Sequence, residues 1–206
     1  GLEAAMTYDG ATYGAKAATY IQAAADAVAY HNDQFAPYGR YYRMRYDATF
    51  TIYTAGNPLP LNQSAGMGRS LALLCDLGEG DEYCDKAAIL ADRLDGFLAV
   101  EPSGAYSWTY WGFDYGTGAE DVGHAALNAA FIYQAAAAGI EWGDADVDRL
   151  GLTVTEQILV GGGDVADCLD CSAVNGPNRW SIGRWGFLAD DVGVWVDVFE
   201  AMDYYP

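Results

Sequence analysis

A chain of 206 residues that is 52% hydrophobic and 19% charged holds one domain and is too apolar for intrinsic disorder. Its 29 acidic residues against 10 basic ones give a formal net charge of −19. That balance excludes nucleic-acid binding by phosphate neutralisation and disfavours docking on an anionic membrane. Lysine occurs only at Lys16 and Lys86, and the acidity fits either a saline habitat or an acidic secreted product.

Residues 11–35 place Tyr20, Ile21, Ala24, Ala27, Val28 and Phe35 at spacings of three and four, which predicts a first helix. The Tyr-rich, Thr-containing stretch 38–54 reads as one or two short strands, ended by Asn57-Pro58 and Pro60. A second helix is expected from Asn62 to Leu77, stopped by Gly78. A third runs from Asp81 to Val100, with Ala88, Leu90, Ala91, Leu94 and Leu98 on one face. Residues 102–118 form an aromatic, Gly-rich loop. A fourth helix spans Glu120 to Ala138 and ends at Gly139. A fifth begins at Asp144 to Asp148 and reaches Val160, where three glycines break it. An irregular loop covers 164–185, and a sixth helix runs from Phe187 to Met202. The expected fold is mainly all-α, a single domain over 1–206. It is built of about six helices in hairpins, as a bundle or an incomplete α/α toroid, with a short Tyr-rich β-segment.

No run of about 20 apolar residues is present, so no membrane span is expected. A first residue of Gly fits a trimmed chain or a mature one freed of a signal peptide. The four cysteines allow three pairings. The local scheme, Cys75 with Cys84 and Cys168 with Cys171, is the simplest because each pair brackets a short loop. A four-cysteine zinc site and a redox Cys-x-x-Cys are the alternatives. Disulfides would place the protein outside the cytoplasm, secreted or at the cell surface.

Two neighbouring stretches carry the chemistry. Tyr106-Ser-Trp108-Thr-Tyr110-Trp111 is an aromatic platform of the kind that meets the flat faces of sugar rings, though such rings also serve to cover helix ends. Glu120 and Asp121 then suit a helix first turn, and His124 follows them at i+4 and i+3 on the same face. A carboxylate at that spacing holds an imidazole in one tautomer, as a general acid or base requires. The alternative is a half-buried histidine satisfied by its helix-start acid.

Several ordered runs resemble helical-toroid (α/α barrel) polysaccharide lyases and uronate-epimerase-like proteins. They are Pro58-Leu-Pro60-Leu-Asn62-Gln63 with Ala65-Gly66-Met67-Gly68, Gly80-Asp81 with Tyr83, the aromatic run, Glu120-Asp121-Val122-Gly123-His124-Ala125 and Trp185-Gly-Phe187-Leu188-Ala189. The match is best over residues 58–140. The resemblance implies β-elimination or epimerisation at a uronic acid. That chemistry needs a group to neutralise the sugar carboxylate, a base for the C5 proton and an acid for the leaving oxygen. It implies Asn62 in the carboxylate site, His124 as base or neutraliser, and Tyr106 or Tyr110 as acid or base. An arginine, Arg45 among Arg40, Arg43 and Arg45, would assist. Trp108, Trp111, Gln63, Arg43 and Arg184 would bind substrate, with Arg179 near the last of these.

No cofactor is required by this chemistry. Calcium is admitted by Asp164, Asp167 and Asp170, while Asp144, Asp146 and Asp148 read better as helix-start acids. Asn62-Gln63-Ser64 is also a glycosylation sequon. No phosphate loop and no Gly-x-Ser-x-Gly elbow occur. Two functions of different class follow. One is a secreted, lyase-like protein acting on or binding an extracellular uronate polysaccharide. The other is a non-catalytic structural subunit that uses the same scaffold to form oligomers or filaments.

Overall fold

The computed structural model describes residues 10–45, 55–112, 118–161, 164–169 and 171–188. The chain is mainly helical. Helix α1 (Gly10–Tyr30) is followed by a 3₁₀ turn over Asn32–Gln34 and the short pair β1 (Phe35–Ala36) and β2 (Tyr41–Tyr42). Helices α2 (Leu61–Asp76) and α3 (Asp81–Asp95) form a hairpin, and β3 (Ala99–Val100) pairs with β4 (Tyr106–Ser107). Helix α4 (Val122–Ala137) leads to α5 (Asp144–Thr153), which widens into a π turn over Val154–Ile158. Then come β5 (Leu159–Gly161), β6 (Asp164–Val165) and a 3₁₀ segment, Arg179–Leu188.

Several boundaries differ from the sequence expectation, each for a local reason. Helix α1 stops at Tyr30 because Asn32 and Asp33 favour turns over helix interiors. The chain then folds back over Pro37–Arg40 into β2. Of the periodic residues, Val28 is buried and Tyr20 is exposed, and the helix also buries Ala17. Helix α3 ends at Gly96 rather than Val100. Beyond it, Pro102-Ser103-Gly104 makes a turn, with Gly104 at φ +91°, that pairs Ala99–Val100 with the start of the aromatic loop. Helix α4 begins after Glu120, since Asp121 is its N-cap. Of the expected second strand and the sixth helix, residues 46–54 and 189–202 lie outside the described residues.

The core sits between α2 and α4, with α3, α5 and the 3₁₀ segment packed around them. Helix α4 is buried on most sides, and its alanines allow close neighbours. Gly68 of α2 lies so near Phe131 of α4 that a Cβ there would stand 2.6 Å from the ring. Asn62, at the start of α2, meets Glu120 just before α4. The two helices therefore run parallel, and their N-termini share one end of the molecule. The β1–β2 hairpin is pinned to α3 by Arg93, whose guanidinium donates to the Gly39 carbonyl and lies over the Tyr41 ring. Burial lowers its pKa to about 10.

Both local disulfides form: Cys75–Cys84 clamps the α2–α3 turn, and Cys168–Cys171 closes a loop after β6. No free cysteine is found among the described residues, so zinc and thiol chemistry give way to structural bridges. No helix among the described residues is long and apolar enough to cross a membrane. Both facts are compatible with a secreted protein.

Candidate functional site

The shared end of α2 and α4 gathers part of the predicted set. Asp121 has extended backbone, φ −68° and ψ 152°, as an N-cap should, and its Oδ1 accepts from the amides of Gly123 (3.0 Å) and His124 (3.1 Å). Its Oδ2 pairs with Nδ1 of His124. One carboxylate thus caps the helix and orients the imidazole. Nε2 has no hydrogen-bond partner among the described residues. The His124 side chain is 47% exposed.

The aromatic loop closes on this dyad. The Tyr110 ring stands edge-on to His124, with centroids 5.4 Å apart, and the half-buried Trp111 meets Tyr110 at 5.3 Å. The loop is tied down by its backbone, because the Leu61 amide at the free N-terminus of α2 donates to the Tyr110 carbonyl (3.3 Å). Gly112 makes the turn beyond it. Its φ of +60° and the nearness of Phe97 and Leu61, under 3 Å from any Cβ, admit only glycine.

The 3₁₀ segment brings a cation and an anchor. Exposed Arg184 donates from Nη1 to the Gly123 carbonyl (3.2 Å), and buried Trp185 donates from Nε1 to the Val122 carbonyl (3.1 Å). On the opposite flank the disulfide loop binds the residues before α4. The Leu169 amide donates to the Glu120 carbonyl (2.8 Å), and the Val122 amide donates to the Asp167 carbonyl (3.1 Å).

Beneath the dyad lies a buried polar layer. Asn62 Nδ2 donates to Glu120 Oε1 at 3.4 Å. Burial pushes the Glu120 carboxyl up to about 8, and the neighbouring Asp121 charge adds to this against the Asn62 hydrogen bond. Glu120 is therefore not the first-turn carboxylate that orients His124; Asp121 alone does that. The burial of Asn62 also closes its sequon to glycosylation in the folded chain.

Other predicted residues lie elsewhere. Tyr106 is buried in β4, where its hydroxyl donates to Asp146 of α5 at 2.6 Å. Burial first, and that carboxylate second, raise its pKa. Trp108 is buried in the hydrophobic core and presents no face to solvent. Both rings belong to packing, because β3–β4 pairing turns that half of the aromatic run inward. Gln63 is exposed on the first turn of α2. Arg43 donates to the Asp33 carbonyl of the 3₁₀ turn (2.9 Å), and Arg45 lies over the Tyr30 ring at the end of α1. Arg179 lies over Trp180 and donates to the Asn175 carbonyl.

The acidic stretches have structural uses. Asp146 accepts from the Gly143 amide and from Tyr106, and Asp164 accepts from Asn175. No group of metal-ligand side chains occurs among the described residues, and Asp170 lies outside them. A groove of about 220 Å³ between α4 and α5, lined by Tyr133, Val147, Asp144 and Asp148 among others, holds none of the aromatic or histidine set. Sequence reasoning missed the supporting roles of Asp167, Leu169 and Ser181, whose Oγ would stand 2.7 Å from a Cβ on Gly123. No spacing in the chain signals them, because they reach the site from more than 40 residues away through tertiary contacts.

No protein-family model, curated protein or solved structure matches this chain.

Proposed function

We propose that this is a secreted carbohydrate-active protein, lyase-like in its chemistry, working at the exposed end of α4 on an extracellular uronate polysaccharide. The observation that carries the reading is the Asp121–His124 dyad set against Tyr110, with Arg184 at the same helix turn. His124 Nε2 serves as the base for the C5 proton, because its other nitrogen is held by a carboxylate. The Tyr110 hydroxyl is the nearest candidate acid for the leaving oxygen. Arg184 supplies the positive charge that the sugar carboxylate needs, and Trp111 offers a ring to a sugar face. Tyr106 and Trp108 carry no part of this reading.

The test is incubation with alginate, glucuronan and related polymers, following the ultraviolet absorbance of the unsaturated product. Wild-type activity that vanishes in His124→Ala and falls in Arg184→Ala supports the reading. Silence across the panel, with and without added calcium and with the fold intact, removes it.

A second reading has its own observation. Tyr20, Tyr30 and Tyr38 are exposed along and just beyond α1, leaving aromatic surface for a neighbouring copy. On that reading the chain is a filament or oligomer subunit. Negative-stain microscopy and light scattering decide it, since a monodisperse monomer at high concentration excludes it.

A further inference from the structure

The polar pair beneath the dyad supports an inference that needs no substrate. Glu120 is 0% exposed and Asn62 is 1% exposed. They meet across the seam between α2 and the cap of α4, where Asn62 Nδ2 donates to Glu120 Oε1. The second oxygens, Asn62 Oδ1 and Glu120 Oε2, are both buried without a hydrogen-bond partner. An ionised carboxylate offers acceptors only, so these two oxygens would repel and both stay unsatisfied. A protonated carboxyl resolves both: its O–H donates to the amide oxygen while its carbonyl accepts from the amide N–H.

The surroundings favour the neutral form. On α4 the titratable neighbours are Asp121 and His124, which pair with each other. The disulfide loop brings Asp167, the aromatic loop Tyr110 and the 3₁₀ segment Arg184, whose guanidinium is bonded to the Gly123 carbonyl. The stretch of α2 from Leu61 to Gly68 has no charged side chain. No described cation forms an ion pair with Glu120.

We propose that Glu120 and Asn62 form a neutral, reciprocal carboxylic acid–carboxamide pair that locks α2 to the α4 cap, and that rising pH opens this lock and releases the turn carrying His124. Burial and the Asp121 charge, which raise the Glu120 carboxyl, agree with it. Opening exposes the carboxyl to water, where it ionises. Between the unfolded value and about 8, each pH unit therefore favours the open cap about tenfold, and the effect then levels.

Infrared difference spectra of the wild-type chain between about pH 5 and about pH 10 test the protonation directly. The expected result is a protonated-carboxyl C=O band that persists at neutral pH, titrates once in the alkaline range and is absent from Glu120→Gln. Amide hydrogen exchange of Gly123, His124 and Ala125, corrected for its intrinsic pH dependence, should rise with pH in wild type and stay flat in Glu120→Gln. A neutral-pH spectrum without a protonated carboxyl overturns the proposal, as does a flat wild-type exchange profile. If Glu120→Gln does not fold, the two wild-type measurements still decide it. Neither readout depends on turnover, so a failed search for a polysaccharide substrate leaves this result intact.

Discussion

Gly66 and Gly68 lie two residues apart on α2, and replacing each by alanine should shift stability in opposite directions. A Cβ at Gly66 meets nothing within 4 Å. Gly66→Ala should therefore gain about 0.5–1 kcal/mol from backbone entropy and helix propensity. A Cβ at Gly68 would stand 2.6 Å from Cζ of Phe131 and 2.8 Å from both its Cε atoms. The ring has little room to retreat, because Phe131 is buried and meets the Trp142 ring edge-on at 5.7 Å. Overpacking of a core costs about 1–3 kcal/mol, and the propensity gain of up to about 1 kcal/mol offsets part of it. The net loss for Gly68→Ala is up to about 2 kcal/mol, which lowers the melting temperature by up to about 8 °C in a chain of this size. Urea titrations of wild type, Gly66→Ala, Gly68→Ala, Phe131→Leu and the double variant Gly68→Ala with Phe131→Leu would measure it. Gly68→Ala should cost less in the Phe131→Leu background than in wild type, giving a coupling energy between the sites. If Gly68→Ala matches Gly66→Ala in sign, the close approach of α2 and α4 is wrong.

Four further outcomes follow from the same geometry. The native chain holds one proton more than the unfolded chain between about 4.5 and about 8 through Glu120. Its contribution to stability is full below that range, falls by about 1.4 kcal/mol per pH unit within it and is gone above it. Denaturant midpoints across pH should show this slope in wild type and lose it in Glu120→Gln. Asp121→Ala should cost about 1 kcal/mol through the lost N-cap, whereas Asp121→Asn keeps the cap and removes the charge beside His124. His124→Ala, at an exposed position, should change unfolding free energy by no more than about 0.5 kcal/mol. Replacing Cys75 and Cys84 by serine opens a loop of sequence separation 9 and should cost about 2.5 kcal/mol, measured by thermal unfolding under non-reducing conditions.

The helices were legible where apolar periodicity and a terminator agreed. Helix α2 ends beside Gly78 and α4 beside Gly139, both within a residue or two of expectation. The disulfide pairing was legible because each bridge closes a short loop. The aromatic run was the harder case. Tyr106, Trp108, Tyr110 and Trp111 look alike in sequence, yet pairing with Ala99–Val100 turns the first two inward and leaves Tyr110 beside His124 with Trp111 against Tyr110. Such a division depends on a hairpin register, which two-residue strands scarcely signal. Glu120 was misplaced for a related reason. Adjacent acids at a helix start read as two solvated charges, and only tertiary contacts with Asn62 and Leu169 show that one of them is interior.

The bonds between the disulfide loop and the residues ahead of α4 join parts of the chain made far apart in time. During synthesis, Glu120 leaves the ribosome well before Asp167 and Leu169 exist to receive it. Until they arrive the first turn of α4 lacks two of its braces. The cradle beneath the dyad at His124 is therefore completed late. A nascent chain halted before residue 164 would carry every side chain of the Asp121, His124 and Tyr110 cluster and still lack the cradle that orders them.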